Sequence, residues 1–307
     1  MAKKLLYKKY KFIDLFAGIG GFHTALHNLG AECVFASEID KYARETYIAN
    51  FENKSPNLFK YNHFNADITS IKKEKINDEI PDFDILCGGF PCQPFSQAGF
   101  KKGFDDDRGN LFFHIAQIIE EKKPKAFLLE NVRHLVNHDD GRTFSTIRRI
   151  LEEELEYSFY PQIIKATDFG LPQHRPRIFL VGFKKDKYYG DKEKEFKFPE
   201  PKKRLDFTMS DIWEGECSRD IGLTLRVGGR CSPINDRRNW DGYLVNGEVK
   251  RLTPKEGKAM QGFPKDFIFP VTDIQAMKQL GNSVAVPVVQ AIANEIIKYI
   301  IKLDSEE

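Results

Sequence analysis

The chain of 307 residues contains few cysteines, and their arrangement argues against both a disulfide-stabilised scaffold and a structural metal site. The five are Cys33, Cys87, Cys92, Cys217 and Cys231. An odd number without paired spacing is not typical of a disulfide scaffold. No Cys-x-x-Cys or His-x-His pattern occurs, so no metal site is predicted. Cys33 and Cys87 lie in apolar runs, where a free cysteine packs as a small buried hydrophobe.

Long apolar runs and a strong net charge are also lacking. No apolar run approaches the ~18 residues that a transmembrane helix needs, so no membrane interaction is expected. The start, "MAKKLLYKKYK", is basic but has neither the apolar region nor the cleavage site of a signal peptide, and we expect a cytoplasmic protein. Because the formal net charge is only +2, affinity for nucleic acid would have to come from a local basic patch.

Apolar strands alternate with helical patterns over the first 183 residues. "KFIDLF" and "AECVFASEID" indicate strands on either side of the helical "FHTALHNL", and further strands are predicted at "FDILCGG", "AFLLENV" and "RIFLVGF". This alternation favours an α/β fold with a doubly wound, Rossmann-like parallel sheet.

The pattern changes after residue 183. A charged stretch without periodicity indicates a linker, and residues 205–271 contain short strand candidates, glycine pairs and turns. The end, "QAMKQLGNSVAVPVVQAIANEIIKYIIK", predicts one long amphipathic helix. We therefore predict one domain built from 1–183 and 272–307, and a small, irregular, mainly β domain over 184–271.

A glycine-rich turn follows the first strand. In "DLFAGIGG", Gly18, Gly20 and Gly21 allow close approach of a ligand to the backbone at a helix N-terminus. Glu38 follows Gly18 by twenty residues, where a doubly wound nucleotide site carries the acid that holds ribose hydroxyls. Asp67 is equally compatible with an adenine contact and with a helix N-cap. The pattern favours an adenosine-containing cofactor, leaving nicotinamide and S-adenosylmethionine both open.

The segment "CGGFPCQPFSQAG" places Cys92 in a rigid loop just after a strand. Pro91 and Pro94 fix the backbone on both sides of a thiol, which is the most nucleophilic common side chain. Glu130, at the end of "LLENV", is either an acid facing the crevice or a residue that balances a helix dipole. In "GLPQHRPRIF", Gln173, Arg175 and Arg177 share one face of an extended run, which suits an oxygen ligand or an edge strand.

Taken together, these segments resemble the cytosine-C5 DNA methyltransferases of bacterial restriction–modification systems. The matching segments occur in the family's order and span nearly the whole chain: "FIDLFAGIGG", "SEID", "NADIT", "GGFPCQPFS", "RGNLFF", "ENV", "QHRPR", a variable region, "RLTPKEGKAMQGFP" and "KQLGNSVAVPV". The combination of the proline–cysteine loop with "ENV" and the spaced glutamine and arginines is specific to this family.

The resemblance implies a role for each candidate catalytic residue. Cys92 would add to C6 of a cytosine that has been flipped out of the duplex, which makes C5 nucleophilic toward the methyl group of S-adenosylmethionine. Glu130 would assist at N3 and the exocyclic amine. Arg177 would hold the base near O2, and Arg175 would support the loop and a nearby phosphate. No residue is identified as the base that removes the C5 proton.

The resemblance also implies contacts to the cofactor. Phe16 would stack near the adenine, Glu38 would hold the ribose and Asp67 would bind the adenine amino group. Ile39 stands where many relatives carry an aromatic residue, so one face of the adenine would be less tightly covered. The remaining expected contacts are Gly18, Gly20, Gly21, Ile68, Leu111 and Asn282.

Contacts to DNA are expected in two regions. Ser96, Gln97, Lys101 and Lys102 lie in the segment after Cys92, which would close over the DNA. From 222 to 258, eight basic and four acidic residues leave a local charge of +4, so that 184–271 would be the target-recognition domain. Arg226 and Arg230 are the expected guanine readers, because arginine pairs bidentately with the major-groove edge of guanine. Further expected contacts are Gly228, Gly229, Arg237, Arg238 and Lys255.

Three alternatives remain at this point. A transfer-RNA cytosine methyltransferase shares the thiol loop and the glutamate motif. A nicotinamide-dependent oxidoreductase explains the first unit but not the Cys92 loop, and a catalytically silent DNA-binding relative does not explain an intact set of Cys92, Glu130 and Arg177. The favoured interpretation is a monomeric enzyme of double-stranded DNA, paired in function with a restriction endonuclease but not in a stable complex.

Overall fold

The computed structural model describes residues 10–91, 111–185, 195–201 and 204–305. Among these residues, seven strands form one sheet and two form a hairpin. The strands are β1 (Lys11–Leu15), β2 (Glu32–Ser37), β3 (Phe64–Asn65), β4 (Ile85–Gly89), β5 (Ala126–Val132), β6 (Tyr160–Lys165), β7 (Pro176–Phe183), β8 (Gly242–Val245) and β9 (Glu248–Arg251).

The large sheet has the strand order β3-β2-β1-β4-β5-β7-β6. The chain therefore proceeds outward from β1 on one side and from β4 on the other, and the strand order reverses between these two neighbours. β1 pairs in parallel with both β2 and β4, and β4 pairs in parallel with β5. In a doubly wound sheet, ligands bind at the carboxyl ends of the strands on either side of such a reversal.

Helices cover both faces of the sheet. They are α1 (Gly21–Leu29), α2 (Lys41–Phe51), α3 (Pro56–Lys60), α4 (Ile76–Glu79), α5 (Leu111–Lys122), α6 (Arg142–Arg149), α7 (Met209–Trp213), α8 (Pro254–Gln261), α9 (Asp273–Asn282) and α10 (Val286–Asp304). Alternate residues of β1 enter the two hydrophobic layers, with Phe12 on the face that α1 and α10 cover and Ile13 on the other. Both side chains are fully buried.

The α/β class and the Rossmann-like sheet are confirmed, but the sheet is not entirely parallel. β7 is antiparallel to β5 and to β6. β6 is not predicted from the sequence, because its residues "YPQIIK" are mostly half-buried or exposed and show no apolar run. Because the chain first passes to the outer edge as β6, it returns as β7 in the opposite direction, between β6 and β5.

The C-terminal region forms two helices rather than the single predicted one. Pro287 lies in the first turn of α10, where the missing N–H costs nothing, and the chain breaks between Asn282 and Val286. Among the described residues, the stretch Asp273–Asp304 has the length and composition of a membrane span. However, α10 packs against α1, and Val289, Ile292 and Ile296 are fully buried, as expected of a core helix.

The antiparallel insertion of β7 depends on a glycine near the end of the strand. A Cβ atom on Gly182 would overlap the ring of Phe127 in β5 and the carbonyl oxygen of Ser158. Gly182→Ala should therefore destabilise the fold by about 1–3 kcal/mol, as overpacking of a core does. Thermal unfolding should show a melting temperature lowered by several degrees.

The matched control is Gly228→Ala, because a Cβ atom at Gly228 would meet nothing within 4 Å. Its melting temperature should equal that of the parent. If Gly182→Ala melts together with this control, the close approach of β7 to β5 is wrong.

Candidate active site

A cavity of about 550 Å³ opens where the strand order reverses. Its walls come from the carboxyl ends of β1, β2, β4 and β5, from the start of β7, and from the C-terminal part of α9. This volume lies within the range of about 300–1,000 Å³ that is usual for small-molecule sites. The topology of the sheet therefore brings together residues as far apart in sequence as Phe16 and Asn282.

The glycine-rich turn forms one wall of the cavity. Phe16 and Gly18 both adopt positive φ angles, 55° and 54°. Nothing lies within 4 Å of a Cβ atom built on Gly18, so the backbone faces open space there. The Gly18 amide donates a hydrogen bond of 2.7 Å to Glu38 Oε2, which fixes the turn to the end of β2.

Glu38 is held in place by backbone donors. In addition to the Gly18 bond, its Oε1 atom accepts a 2.8 Å hydrogen bond from the Asp40 amide. Burial raises the pKa of Glu38 above its ordinary value, while the Asp40 and Gly18 amides oppose this rise. Each carboxylate oxygen has a second lone pair, so the oriented group is able to accept hydrogen bonds from ligand hydroxyls.

The lining of the cavity also includes Asp67, Ile68, Leu111 and Ile39. Asp67 Oδ1 accepts hydrogen bonds from the amide and the hydroxyl of Thr69, at 2.9 and 2.7 Å. Asp67 therefore caps the turn that follows it, and its capping role does not exclude a contact through Oδ2. Ile39 is 71% exposed at the mouth.

Gly20 and Gly21 are predicted cofactor contacts, but they are not among the residues that line the cavity. A Cβ atom on Gly20 would overlap the ring of Phe51 in α2, and one on Gly21 would overlap Val284. In this structure, the two glycines allow α1 to pack closely against α2 and against the connection between α9 and α10.

Glu130 and Arg177 form an ion pair inside the cavity. Arg177 Nε lies 2.9 Å from Glu130 Oε1, and both side chains are largely buried, at 16% and 11% exposure. They meet because Arg177 in β7 pairs with Val132 of β5, which places it diagonally across from Glu130 on one face of the sheet. Burial raises the pKa of Glu130, and the positive charges of Arg177 and Arg175 oppose this rise.

The chain that leads to the predicted nucleophile passes beside this ion pair. Asn131 Nδ2 donates a 2.9 Å hydrogen bond to the Phe90 carbonyl oxygen, and Phe90 and Pro91 line the cavity. Cys92 is the next residue in the sequence, and it lies outside the described residues. So do four predicted DNA contacts, Ser96, Gln97, Lys101 and Lys102.

Arg175 occupies a different environment from the one predicted. It is 2% exposed, and its guanidinium donates to the carbonyl oxygens of Leu225, Gly281 and Ser283 at 3.2, 3.0 and 2.5 Å. Burial lowers its pKa to about 9, with a further contribution from Arg177. These donors point at protein carbonyls, so Arg175 joins three segments of the chain rather than supporting a phosphate.

Asn282 lines the cavity from the end of α9, together with Lys278 and Gln279, which are not among the predicted residues. Lys278 lies 3.7 Å from Asp40, and Gln279 Oε1 accepts a 2.9 Å hydrogen bond from Thr46 in α2. Lys278 precedes Asn282 by one helical turn, a spacing that places both on one face of a helix. That spacing is the sequence signal from which Lys278 could have been predicted.

The predicted DNA contacts of the second region differ in their surroundings. Arg226, Gly228, Gly229 and Arg237 are exposed. Arg238 pairs with Asp236 at 2.7 Å, and Lys255 lies 3.6 Å from Glu214. Arg230, predicted to read guanine, instead lies 3.5 Å from the fully buried Asp241 and donates to the Leu252 carbonyl oxygen. Its guanidinium is thus engaged within the protein.

The sequence is similar to a family of known proteins over nearly its whole length. The family model for C-5 cytosine-specific DNA methylases matches residues 10–225 and 216–298. Type II methyltransferase M.SsoII of Shigella sonnei is 46% identical over 94% of this chain and 80% of its own length. M.HpaII of Haemophilus parainfluenzae is 40% identical over 95% and 90%, and M.HhaI of Haemophilus parahaemolyticus is 38% identical over 93% and 94%.

Solved structures share the fold. The structure of S. pombe Dnmt2 methyltransferase superposes with a TM-score of 0.64 at 19% identity, covering 96% of this chain and 97% of that one. Spodoptera frugiperda DNMT2 gives 0.68 at 19% identity, with 95% and 99% covered. Identities this low support the fold alone. The family match and the curated relatives go further, and the chain belongs to the C-5 cytosine-specific DNA methylase family.

Proposed function

We propose that this protein transfers a methyl group from S-adenosylmethionine to C5 of a cytosine in double-stranded DNA, as the modification enzyme of a type II restriction–modification system. The observation that carries the proposal is the Glu130–Arg177 ion pair in the same cavity as Glu38 and the Gly18 turn. One end of the cavity has the groups that suit an adenosine, and the other has an acid and a guanidinium that suit the polar edge of a cytosine.

The residues at the first end fit S-adenosylmethionine. Glu38 offers two oriented carboxylate oxygens to the ribose, and the backbone at Gly18 leaves room beside them. Asp67 would bind the adenine amino group and Ile68 would contact its ring, and Phe16 and Leu111 also line the cavity. When bound, the cofactor supplies an electrophilic methyl group.

The second end would activate the cytosine. Glu130, whose pKa burial raises, is suited to share a proton with N3 of the ring. Arg177 would donate to O2 and hold the carboxyl in position. The Cys92 thiolate would add to C6, C5 would take the methyl group, and loss of the C5 proton would then expel the thiolate. Such chemistry requires the base to leave the stack, at a cost of a few kcal/mol.

Residues 184–271 would serve as the target-recognition domain, and 1–183 with 272–307 as the catalytic domain. In support, the described part of 184–271 contains few regular elements and several exposed arginines and lysines, as a surface for phosphates requires. A monomer in the cytoplasm would suffice, because one chain contains both the cavity and the basic region. Functional pairing with an endonuclease requires no stable complex.

A duplex with 5-fluorocytosine at the target position tests the proposal. Fluorine at C5 cannot leave as a proton does, so elimination of the thiolate should stop after methyl transfer. We expect a covalent protein–DNA adduct that survives denaturing electrophoresis and requires S-adenosylmethionine. The control variant Cys92→Ala should form none, although it should unfold at the same temperature as the parent.

Fluorinated transfer RNA serves as the competing substrate in the same experiment. An adduct formed with RNA in preference to the duplex would replace the proposed substrate. Methylation of ordinary cytosine without any adduct on the fluorinated duplex would contradict addition of a thiol.

The proton on Glu130 provides a separate test. Since Arg177 opposes the effect of burial, Arg177→Met should raise the pKa of Glu130 further above its ordinary value. Carboxyl-carbon NMR titration measures this pKa, with the resonance assigned by its loss in Glu130→Gln. Arg133→Met, which removes an exposed arginine close by in the sequence, should leave it unchanged.

The raised pKa of Glu130 also predicts how the stability of the fold changes with pH. The folded carboxyl binds its proton at a higher pH than the unfolded one, so the free energy of unfolding should fall as pH rises from about 4.5 to the folded pKa. The fall should be larger in Arg177→Met. If the NMR titration of Arg177→Met gives a Glu130 pKa that is equal to or lower than that of the parent, the guanidinium does not lower the pKa of Glu130.

A further inference from the structure

We infer that Arg226 is the side chain that reads guanine, whereas Arg230 positions the recognition segment through the buried carboxylate of Asp241. This assignment separates two arginines that sequence alone treats as equivalent. It rests on the proposed function, because only a DNA-binding enzyme needs such a reader. The recognition segment is defined here as residues 222–232.

Asp241 is the centre of the positioning cluster. It is fully buried, and its carboxylate contacts two guanidiniums. Arg251 Nη1 donates to Oδ1 at 2.9 Å, and Arg230 Nε lies 3.5 Å from Oδ2. The amide of Cys231 donates to both oxygens at 3.2 Å. A buried carboxylate is tolerated only with such partners, so removing one guanidinium leaves part of its charge uncompensated.

The two arginines that contact Asp241 also donate hydrogen bonds to backbone carbonyl oxygens. Arg230 Nη2 donates to the Leu252 carbonyl oxygen at 2.7 Å, and Arg251 Nη2 donates to that of Ser232 at 2.8 Å. The Arg230 side chain is 29% exposed. Because Asp241 and the Leu252 carbonyl oxygen hold this guanidinium against the protein, Arg230 is less suited to read a base than an exposed arginine without an ion pair.

A second contact fixes the glycine pair within the segment. Trp240, which is 1% exposed, donates from Nε1 to the Gly228 carbonyl oxygen at 2.8 Å. Gly229 and Cys231 adopt positive φ angles of 76° and 67°, so the chain turns sharply toward Asp241. The second half of the recognition segment is therefore anchored to Trp240 and Asp241, two consecutive residues at the start of the β8–β9 hairpin.

Arg226 has a fixed backbone and a free side chain. The preceding Leu225 donates from its amide to Gln173 Oε1 and accepts from Arg175, both at 3.2 Å. On the other side, a Cβ atom on Gly281 would lie 2.6 Å from the Arg226 carbonyl oxygen, so the two backbones are in close contact. Within the described part of the chain, no ion pair engages the exposed Arg226 guanidinium.

The location of Arg226 suits base reading. Its neighbours Arg175 and Gly281 both line the cavity, so the backbone of the exposed Arg226 lies beside the cavity wall. Arg238, in contrast, is paired with Asp236 on the surface. A guanidinium that is rigidly mounted but unpaired is able to form the bidentate contact to O6 and N7 of guanine.

Replacement of guanine by 7-deazaguanine tests the assignment. Bisulfite sequencing of DNA methylated by the parent first defines the target, and duplexes are then made with each target guanine replaced in turn. Loss of N7 at the guanine that Arg226 reads should weaken binding by the parent about 5- to 150-fold. Arg226→Met should bind the natural duplex with a similar loss and should be insensitive to that replacement.

Arg230→Met should differ from Arg226→Met both in its affinity for duplexes and in its sensitivity to 7-deazaguanine. It should weaken binding to all duplexes by one common factor, retain the full sensitivity to 7-deazaguanine, and lower the melting temperature. Because this variant leaves Asp241 short of a partner, Arg230→Met with Asp241→Asn is the second variant. It should recover part of the melting temperature and show the same 7-deazaguanine sensitivity as the parent.

The possible results distinguish a failure of the arginine assignment from a failure of the proposed function. Loss of 7-deazaguanine sensitivity in an Arg230 variant, or full sensitivity in Arg226→Met, would overturn the assignment while leaving the proposed function in place. If the parent transfers no methyl group to duplex DNA, both the proposed function and the assignment fail.

Discussion

The ion pair between Glu130 and Arg177 is the constraint on which the arrangement of this site depends. Two largely buried charges at 2.9 Å do not by themselves favour folding, because the cost of removing them from water offsets much of their attraction. The antiparallel direction of β7 brings them together, since it places the start of that strand beside the end of β5. A parallel β7 would put Arg177 at the opposite edge of the sheet, away from the cavity.

A second set of contacts holds the remainder of the molecule to this pair. Arg175 and Gln173 lie just before β7, and both bind Leu225 of the recognition segment. Arg175 also binds Gly281 and Ser283, while Gln173 donates to the Met260 carbonyl oxygen at 2.9 Å. One short stretch of chain therefore joins the sheet, the recognition segment and the C-terminal helices. The segment that would select the DNA sequence is attached directly to the residues that would bind the cytosine.

Much of this arrangement could be predicted from local sequence. The strands β1, β2, β4 and β5 are apolar runs bounded by turns, and Glu38 and Glu130 stand at their ends, where a parallel sheet collects its ligands. β6 and the direction of β7 could not be predicted, because an edge strand with half-exposed residues has no apolar run and strand direction depends on distant pairing. The break before α10 has a local cause in Pro287. The commitment of Arg230 to Asp241 has none, since the two meet only when the recognition segment folds against the hairpin.

The central claim is that the cavity formed around Glu130 and Arg177 methylates cytosine in duplex DNA. Bisulfite sequencing of a plasmid from cells that express the protein tests it most directly, with Glu130→Gln as the comparison. The account predicts unconverted cytosines at one fixed position of one short sequence for the parent, and few or none for the variant. Complete conversion of the parent's plasmid, or equal protection by Glu130→Gln, would contradict it.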